Sequence, residues 1–488
     1  MKKIKFSILF SISMLFAQSE ASGLVDSVYW VDMHNGNDSN NGTSAATAFK
    51  TIHKVLATNT YLSSEVVTTT IKVMPSVVAG SPNGYYDFGD SELYLATSND
   101  FELIGVAGPD STIFDAESKN RHMSLYYGQS NKSIIQGITF RNGKSTNWPD
   151  GGSIYISNST NIQFIDCVWK NNSSSYGSDG GGAIHIRDKA TPSFTSCVFD
   201  SNFVDVDDNS TSGGAISIQY PQNETDLKSA IKIKKSKFSN NYVKAKYQAT
   251  GGAIHSRRAI EIENSLFVNN GAISNNGGSN NSSFGGAIAL NINWYDNGYK
   301  IADAYIKNST FHGNYIKSLS SSTGDMVGAA IAHAQWDNAG QKTFIFNTII
   351  TGSRALVVND TTDYDTSNLS SDYKKRLIVG EASPGNNKLT MDYSNVQAST
   401  SGSGWGDYVY NVSAAYKDTS NNDYSLSDKS PLIGAGVLAW TEEGIAGPTE
   451  DMLGNARPNP SGSNPDMGAY ENSLGSSSSP IPVSDLVV

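Results

Sequence analysis

Apolar residues in this chain come in short runs of period two, broken by glycine and asparagine, and the runs themselves recur. Between Gly151 and Gly352 one unit is written six times. The clearest copies are Gly181-Gly-Ala-Ile184 followed by Phe199-Asp-Ser-Asn202, and Gly251-Gly-Ala-Ile254 followed by Phe267-Val-Asn-Asn270. Others begin at Gly151, Gly213 and Gly285, and a worn copy, Gly328-Ala-Ala-Ile331, closes the series. The starts are 30, 32, 38, 34 and 43 residues apart. Self-similarity at such a period decides the fold before any local assignment.

Aligned, the copies give columns. One is Ile154, Ile184, Ile216, Ile254, Ile288, Ile331. A second is Phe140, Trp169, Phe199, Phe238, Phe267, Phe311, Ile349. Two residues earlier runs Cys167, Cys197, Ser236, Ser265, Ser309; three residues later runs Asn172, Asn202, Asn241, Asn270, Asn314. Residues two apart share a strand face, so Cys197 and Phe199 point one way and the residue between them points outward. Like residues in register predict rungs stacked about 4.8 Å apart, Ile on Ile and Phe on Phe. Buried Asn side chains at a bend hydrogen-bond along such a stack and satisfy turn amides. Paired glycines suit bends that need positive φ or close backbone approach. The pattern predicts an all-β, right-handed, single-stranded parallel β-helix. No three-four apolar periodicity accompanies the glycine pairs, which excludes an α-solenoid.

Met1 to Ala21 reads as a signal peptide. Lys2, Lys3 and Lys5 precede an apolar core, Phe6 to Ala17, too short to span a bilayer, and Ala17, Ser19 and Ala21 allow cleavage. The mature chain is then secreted or held at the cell surface, with no transmembrane segment. Residues 22–120 form an N-terminal cap and the first rungs. Tyr29-Trp-Val-Asp32 is a strand, the Asn/Gly run 35–42 a turn, and Phe49 to Leu56 a short amphipathic helix. Ile71–Val73, Leu93–Leu95, Phe101–Ile104 and Thr112–Phe114 are early strands. A cap is required, since a bare first rung exposes a sheet edge. Asp38 is read as a turn former in preference to a calcium ligand. Regular coils occupy 121–352, last rungs and a C-terminal cap 353–472, and a disordered Ser/Pro-rich tail 473–488. In the cap Arg457 is expected to pair with Asp451, Asp466 or Glu471. Residues 173–180, 203–212, 242–250, 271–284 and 315–327 are expected as side loops on one face, the face solenoids often use for binding.

The Gly-Gly-Ala-Ile and Phe-x-x-Asn motifs resemble the repeats of the polymorphic outer-membrane proteins, a family of surface β-helix adhesins, over roughly 120–352. The resemblance implies the β-helix and an adhesin-like role. The chain departs from that family at its end, where no run of alternating amphipathic strands could build a membrane barrel. The segments 35–52 and 424–471 are similar to the N-terminal caps and C-terminal segments of secreted bacterial β-helix proteins.

With 488 residues the chain is long, yet a solenoid grows without enlarging its cross-section, so a single monomeric unit is expected. The net charge of −11 argues against nonspecific nucleic-acid binding. Cys167 and Cys197, in one column of adjacent coils, are read as stacked small residues; their parallel directions disfavour a disulfide.

No Walker loop, HExxH pair, GxSxG elbow or CxxC pair is present. Three groups of residues could carry chemistry. The outward column after the glycine pairs is Tyr155, His185, Ser217, His255, Ala289, flanked by Ser157, Arg187, Gln219, Arg257, Asn291. If the chain is an enzyme, His185, Arg187, His255 and Arg257 are its catalytic candidates. Imidazole and guanidinium can take a uronate's proton and neutralise its carboxylate, as β-elimination requires. The plainer reading is a solvated polar face. Trp294, Tyr295 and Trp336, in matching loops, form a flat platform for sugar rings, or simply pack on the solenoid wall. Asp179, Asp205, Asp207 and Asp208 offer oxygen ligands for calcium, or a solvated acidic loop. Two functions follow. One is an exported β-helix protein that binds a polysaccharide or cell-surface glycan without cleaving it. The other is a calcium-assisted polysaccharide lyase or glycoside hydrolase of the pectate-lyase-like type, by resemblance. The first is favoured.

Overall fold

The structure, a computed structural model, describes residues 27–57, 68–88, 92–94, 99–158, 160–177, 179–219, 226–227, 229–275, 282–290, 300–319, 326–333, 342–357, 377–381, 388–397 and 405–477. The segment read as a signal peptide, the end of the tail and the loops bearing Trp294, Tyr295 and Trp336 lie outside them.

The chain winds as a right-handed parallel β-helix. Each turn lays one strand on each of three long parallel sheets. The leading sheet runs from Ser27–Val31 to Leu389–Asp392 with eleven described strands. The Phe sheet runs from Tyr86–Asp87 to Val409–Tyr410, also with eleven. The Ile sheet runs from Leu93–Tyr94 to Val379–Glu381 with nine. Register follows the columns. Ile154, Ile184, Ile216, Ile254, Ile288 and Ile331 are successive partners. Trp169, Phe199, Phe238, Phe267 and Phe311 are too. Their rings stack with centroids 4.6–4.8 Å apart, the strand spacing itself. One member of the column is corrected. Phe311 is opposite Ile350, not Ile349; Ile349 faces outward and is covered by the C-terminal segment.

The Asn column is a ladder inside the wall. Nδ2 of Asn172 donates to Oδ1 of Asn202 at 2.9 Å, and the pattern repeats through Asn241 and Asn270 to Asn314. From Asn202 on, each Oδ1 also takes the backbone N–H of the Asn before it, that of Asn172 takes the N–H of Gly143, and each Nδ2 reaches a carbonyl of the preceding coil. All five are fully buried, and every polar group of the bend is satisfied. The glycine pairs serve two needs. Gly251 has φ +70, and a Cβ on Gly252 would sit 2.1 Å from the Gly286 carbonyl oxygen. Cys167 and Cys197 are buried free thiols, and burial pushes the Cys167 thiol up to about 12.

The expected side loops are instead further strands. A flank sheet of seven runs from Lys144–Ser145 to Arg354–Val357. A cover sheet of four comprises Thr211–Ser212, Gln248–Thr250, Ser282–Phe284 and Met326–Val327. The insertions are long enough to pair with their own copies above and below. They close a second apolar cluster that includes Val204, Val206, Val243, Ala245 and Ile316. The cover sheet folds back over the outer face of the Ile sheet, where Phe284 and Val327 pack on Ala289 and Ala332.

At the N-terminus a strand and a short helix are present, the helix starting at Ile52 and not at Phe49. Ser27–Val31 pairs with Thr68–Val73, and the helix is Ile52–Ala57. Asp38 accepts from the N–H groups of Lys50 and Thr51 at 2.8 and 3.0 Å, ordering the turn before that helix. The C-terminal segment does more than close an end, which corrects the cap reading. It runs along the outside of the coils, with Tyr424 on Leu266 and Val268, and Trp440 on Phe344 and Phe346. Nδ2 of Asn264 donates to the Glu450 carbonyl, and that of Asn347 to the Val437 carbonyl, both at 2.7 Å. Inside the segment Arg457 pairs with Glu471 at 3.2 Å. No helix among the described residues is long and apolar enough to cross a membrane.

Candidate functional site

The cover sheet begins only at Thr211, so it does not extend over the first strands of the Ile sheet. There the outward positions are Tyr94, Ser124 and Tyr155, aligned in register with His185 in the next coil. Core residues flank Ser124 and Tyr155, as in Ile154-Tyr155-Ile156, so the period of two turns these side chains away from the core. Around this bare end the chain builds a pocket of about 670 Å3. One wall is the strap Ser145 to Pro149, which carries Trp148. The corners after the strands supply Tyr126, Ser157, Arg187 and Asp188, and Glu92 and Arg121 complete the lining.

Four aromatic rings stand in the walls, those of Tyr94, Tyr126, Trp148 and Tyr155. Tyr94 lies edge-on to Tyr126, centroids 5.1 Å apart, and Trp148 is 6.4 Å from Tyr155. Trp148 is 58% exposed and Tyr94 50%. Charged groups alternate with them. Arg121 Nε lies 3.4 Å from Glu92, and Nη2 donates to the Pro149 carbonyl at 2.7 Å, fixing the strap. Ser124 Oγ donates to Glu92 and Ser157 Oγ to Asp188. Burial pushes the Glu92 carboxyl up, against the pull of Arg121 and Ser124. Arg187 stands over the Trp148 ring at 5.8 Å. Arg258, two coils on, donates to the Asp188 and Ala190 carbonyls at 3.0 and 2.6 Å and holds that corner in place.

The strap ends at Asp150, which is buried and accepts from Ser174 Oγ at 2.9 Å and Gly180 N–H at 3.2 Å. Burial pushes its carboxyl up to about 7. A carboxyl raised above its unfolded value contributes stability fully below pH 3.8, and that contribution is lost as pH rises through 7. Asp150→Asn is therefore expected to raise the urea midpoint at pH 8 and leave it nearly unchanged at pH 4. Unfolding curves at the two pH values check this.

The residues expected on a solvated face are divided by the structure. His185 and His255 are each 1% exposed. Both are covered by chain that the period-two argument left out, so neither meets solvent. His185 Nδ1 is 3.1 Å from the Gly180 carbonyl, and burial holds its ring down at about 4; His255 is also held well down by burial. Arg187 alone of the four lines the pocket, and Arg257 is placed two coils further along. Lys244 pairs with Asp205 at 3.0 Å and with Asp207 at 3.9 Å, so those carboxylates already have a cation. Asp208 is exposed. Asp179 sits under the cover, its carbonyl taking hydrogen bonds from Ser212 and Gln219. Among the described residues, no three His, Cys, Asp or Glu side chains are grouped to hold a metal ion. Glu92, Arg121 and Trp148 were missed because they lie outside the repeat. Tyr155 stood in the outward column, yet nothing there marked it as lining a pocket while His185 does not.

No protein-family profile matches the chain, and no curated protein sequence does.

Proposed function

We propose that the chain is an exported, monomeric β-helix protein that binds a polysaccharide or cell-surface glycan in this pocket, in the manner of an adhesin. The observation that carries the reading is the lining itself. Tyr94, Tyr126, Trp148 and Tyr155 offer faces for sugar C–H groups, and Glu92, Arg121, Arg187 and Asp188 offer directed polar partners beside them. The rings come from a rigid sheet and from a strap tied by Arg121, so little ordering is needed on binding. Trp148→Ala is expected to weaken binding of the best ligand from a polysaccharide panel at least about 10-fold, the loss of one aromatic stacking contact. Unfolding should be unaffected, since Trp148 is exposed. Affinity electrophoresis measures the first and urea denaturation the second. Unchanged affinity in Trp148→Ala would remove the pocket from the account.

A hydrolase is the second reading, favoured by one feature. Glu92 and Asp188 are two carboxyls in one pocket, and Glu92 is shifted up, as a general acid needs. Chain length of the bound polymer, followed over hours, separates the readings. Shortening that disappears in Glu92→Gln supports hydrolysis. The lyase reading has less support, because its imidazoles are buried.

A further inference from the structure

We infer that the ligand of this pocket is an acidic saccharide whose anionic group is held by Arg121 and Arg187, an inference that rests on the saccharide reading above. The reasoning is an account of donors and acceptors. The pocket's carboxylates are engaged: Glu92 by Arg121 and Ser124, Asp188 by Ser157. Its guanidinium donors are not all engaged. Arg121 is 7% exposed, and its Nη1 is buried with no hydrogen-bond partner among the described residues. Arg187 Nε is in the same state. A buried N–H without an acceptor costs about 1–3 kcal/mol, and both belong to arginines that line the pocket. Guanidinium groups meet carboxylate and sulfate oxygens as planar forks, which gives geometric selectivity as well as attraction. The Trp148 ring beneath Arg187 lets one ligand stack its ring and present its acid group together.

The chain's net charge of −11 repels polyanions at long range. Recognition must then be local, with binding set by these two arginines and not by bulk charge. Neutral sugars supply hydroxyl acceptors only, and a hydroxyl answers a guanidinium with a weaker bond than an anion does.

The test uses the full chain and oligosaccharides matched in length. The ligands are a neutral oligogalactose, a sulfated oligogalactose, oligogalacturonate and its methyl ester, with calorimetry as the readout. At least one acidic oligomer should bind about 10-fold or more tightly than its uncharged counterpart. Esterification or loss of sulfate should abolish that advantage, and Arg187→Gln should erase it as well. The ester comparison needs no variant, so the outcome stands even if Arg187→Gln folds poorly. Equal binding of acidic and uncharged forms overturns the inference, as does an acid preference that survives Arg187→Gln. Trp148-dependent binding of neutral oligomers alone overturns the acid assignment and keeps the saccharide reading. No binding by any oligomer overturns both.

Discussion

Asn241→Leu is expected to cost at least about 4 kcal/mol and to open the middle of the solenoid. Asn241 Oδ1 accepts from both the backbone N–H and Nδ2 of Asn202, and its own Nδ2 donates to Asn270 and to the Phe199 carbonyl. Leucine fills similar space and makes none of these bonds. Two N–H donors of Asn202 and one carbonyl are then left in a dry wall, at about 1–3 kcal/mol each. That sum is a large share of the 5–15 kcal/mol typical of a folded domain. Strand pairing in the solenoid is with neighbouring coils, so the damage should centre on coils 172–314. Asn240→Gly is the control. Asn240 is exposed with φ 57, a geometry glycine adopts without strain; a change within about 0.5 kcal/mol is expected there. Urea unfolding of the two variants, followed by circular dichroism, checks both values. A leucine variant as stable as the parent would mean the ladder is not what holds the coils in register.

Arg457→Ala is expected to release the C-terminal segment, with a cost of about 3–5 kcal/mol, as for other buried ion pairs broken on one side. The pair is enclosed, its side chains 1% and 0% exposed. Arg457 also donates to the Asp466 and Gly468 carbonyls at 3.2 and 2.9 Å. Glu471 accepts from the N–H groups of Asn459 and Asp466. Burial pushes the Glu471 carboxyl up to about 7, even with Arg457 pulling it down. Its stabilising contribution is therefore present below pH 4.5 and fades as pH rises through 7. Without the arginine the carboxyl is raised further, so the penalty of Arg457→Ala should be greater at pH 8 than at pH 5. Proteolysis of 411–477 at the two pH values reads this directly. Equal susceptibility at both would contradict the assigned charge state.

The coils were legible in the sequence because each column answers to one physical demand. Phe238 must stack, Asn241 must satisfy a bend, and Gly252 must admit a neighbouring carbonyl, so each demand leaves the same residue type at every turn. The leading sheet, the Phe sheet and the Ile sheet follow from that repetition. The lateral sheets were less legible. Val204 and Val206, or Val243 and Ala245, do alternate, but the runs are short and sit among Ser, Asn and Asp, which mask the period. Ile349 was assigned to the core one residue early, because the copy it belongs to has isoleucine at both 349 and 350. The pocket could not be read from the repeat at all. It exists where the cover sheet has not started, and Glu92, Arg121 and Trp148 lie before the first glycine pair, in coils of ordinary length that carry no copy of that motif. His185 shows the reverse limit. Alternation correctly turns it away from the core, and only the three-dimensional path of the chain at Gly151 and Gly180 shows that something lies over it.

The account's central claim is that the open end of the Ile sheet is the saccharide site. A crystal structure of the full chain with its tightest-binding oligosaccharide tests that claim most directly. The predicted result is a sugar ring against Trp148 and Tyr155, with ligand oxygens within hydrogen-bond distance of Arg121 and Arg187. A saccharide bound instead at the loops that carry Trp294 and Trp336, with the pocket left empty, would contradict it.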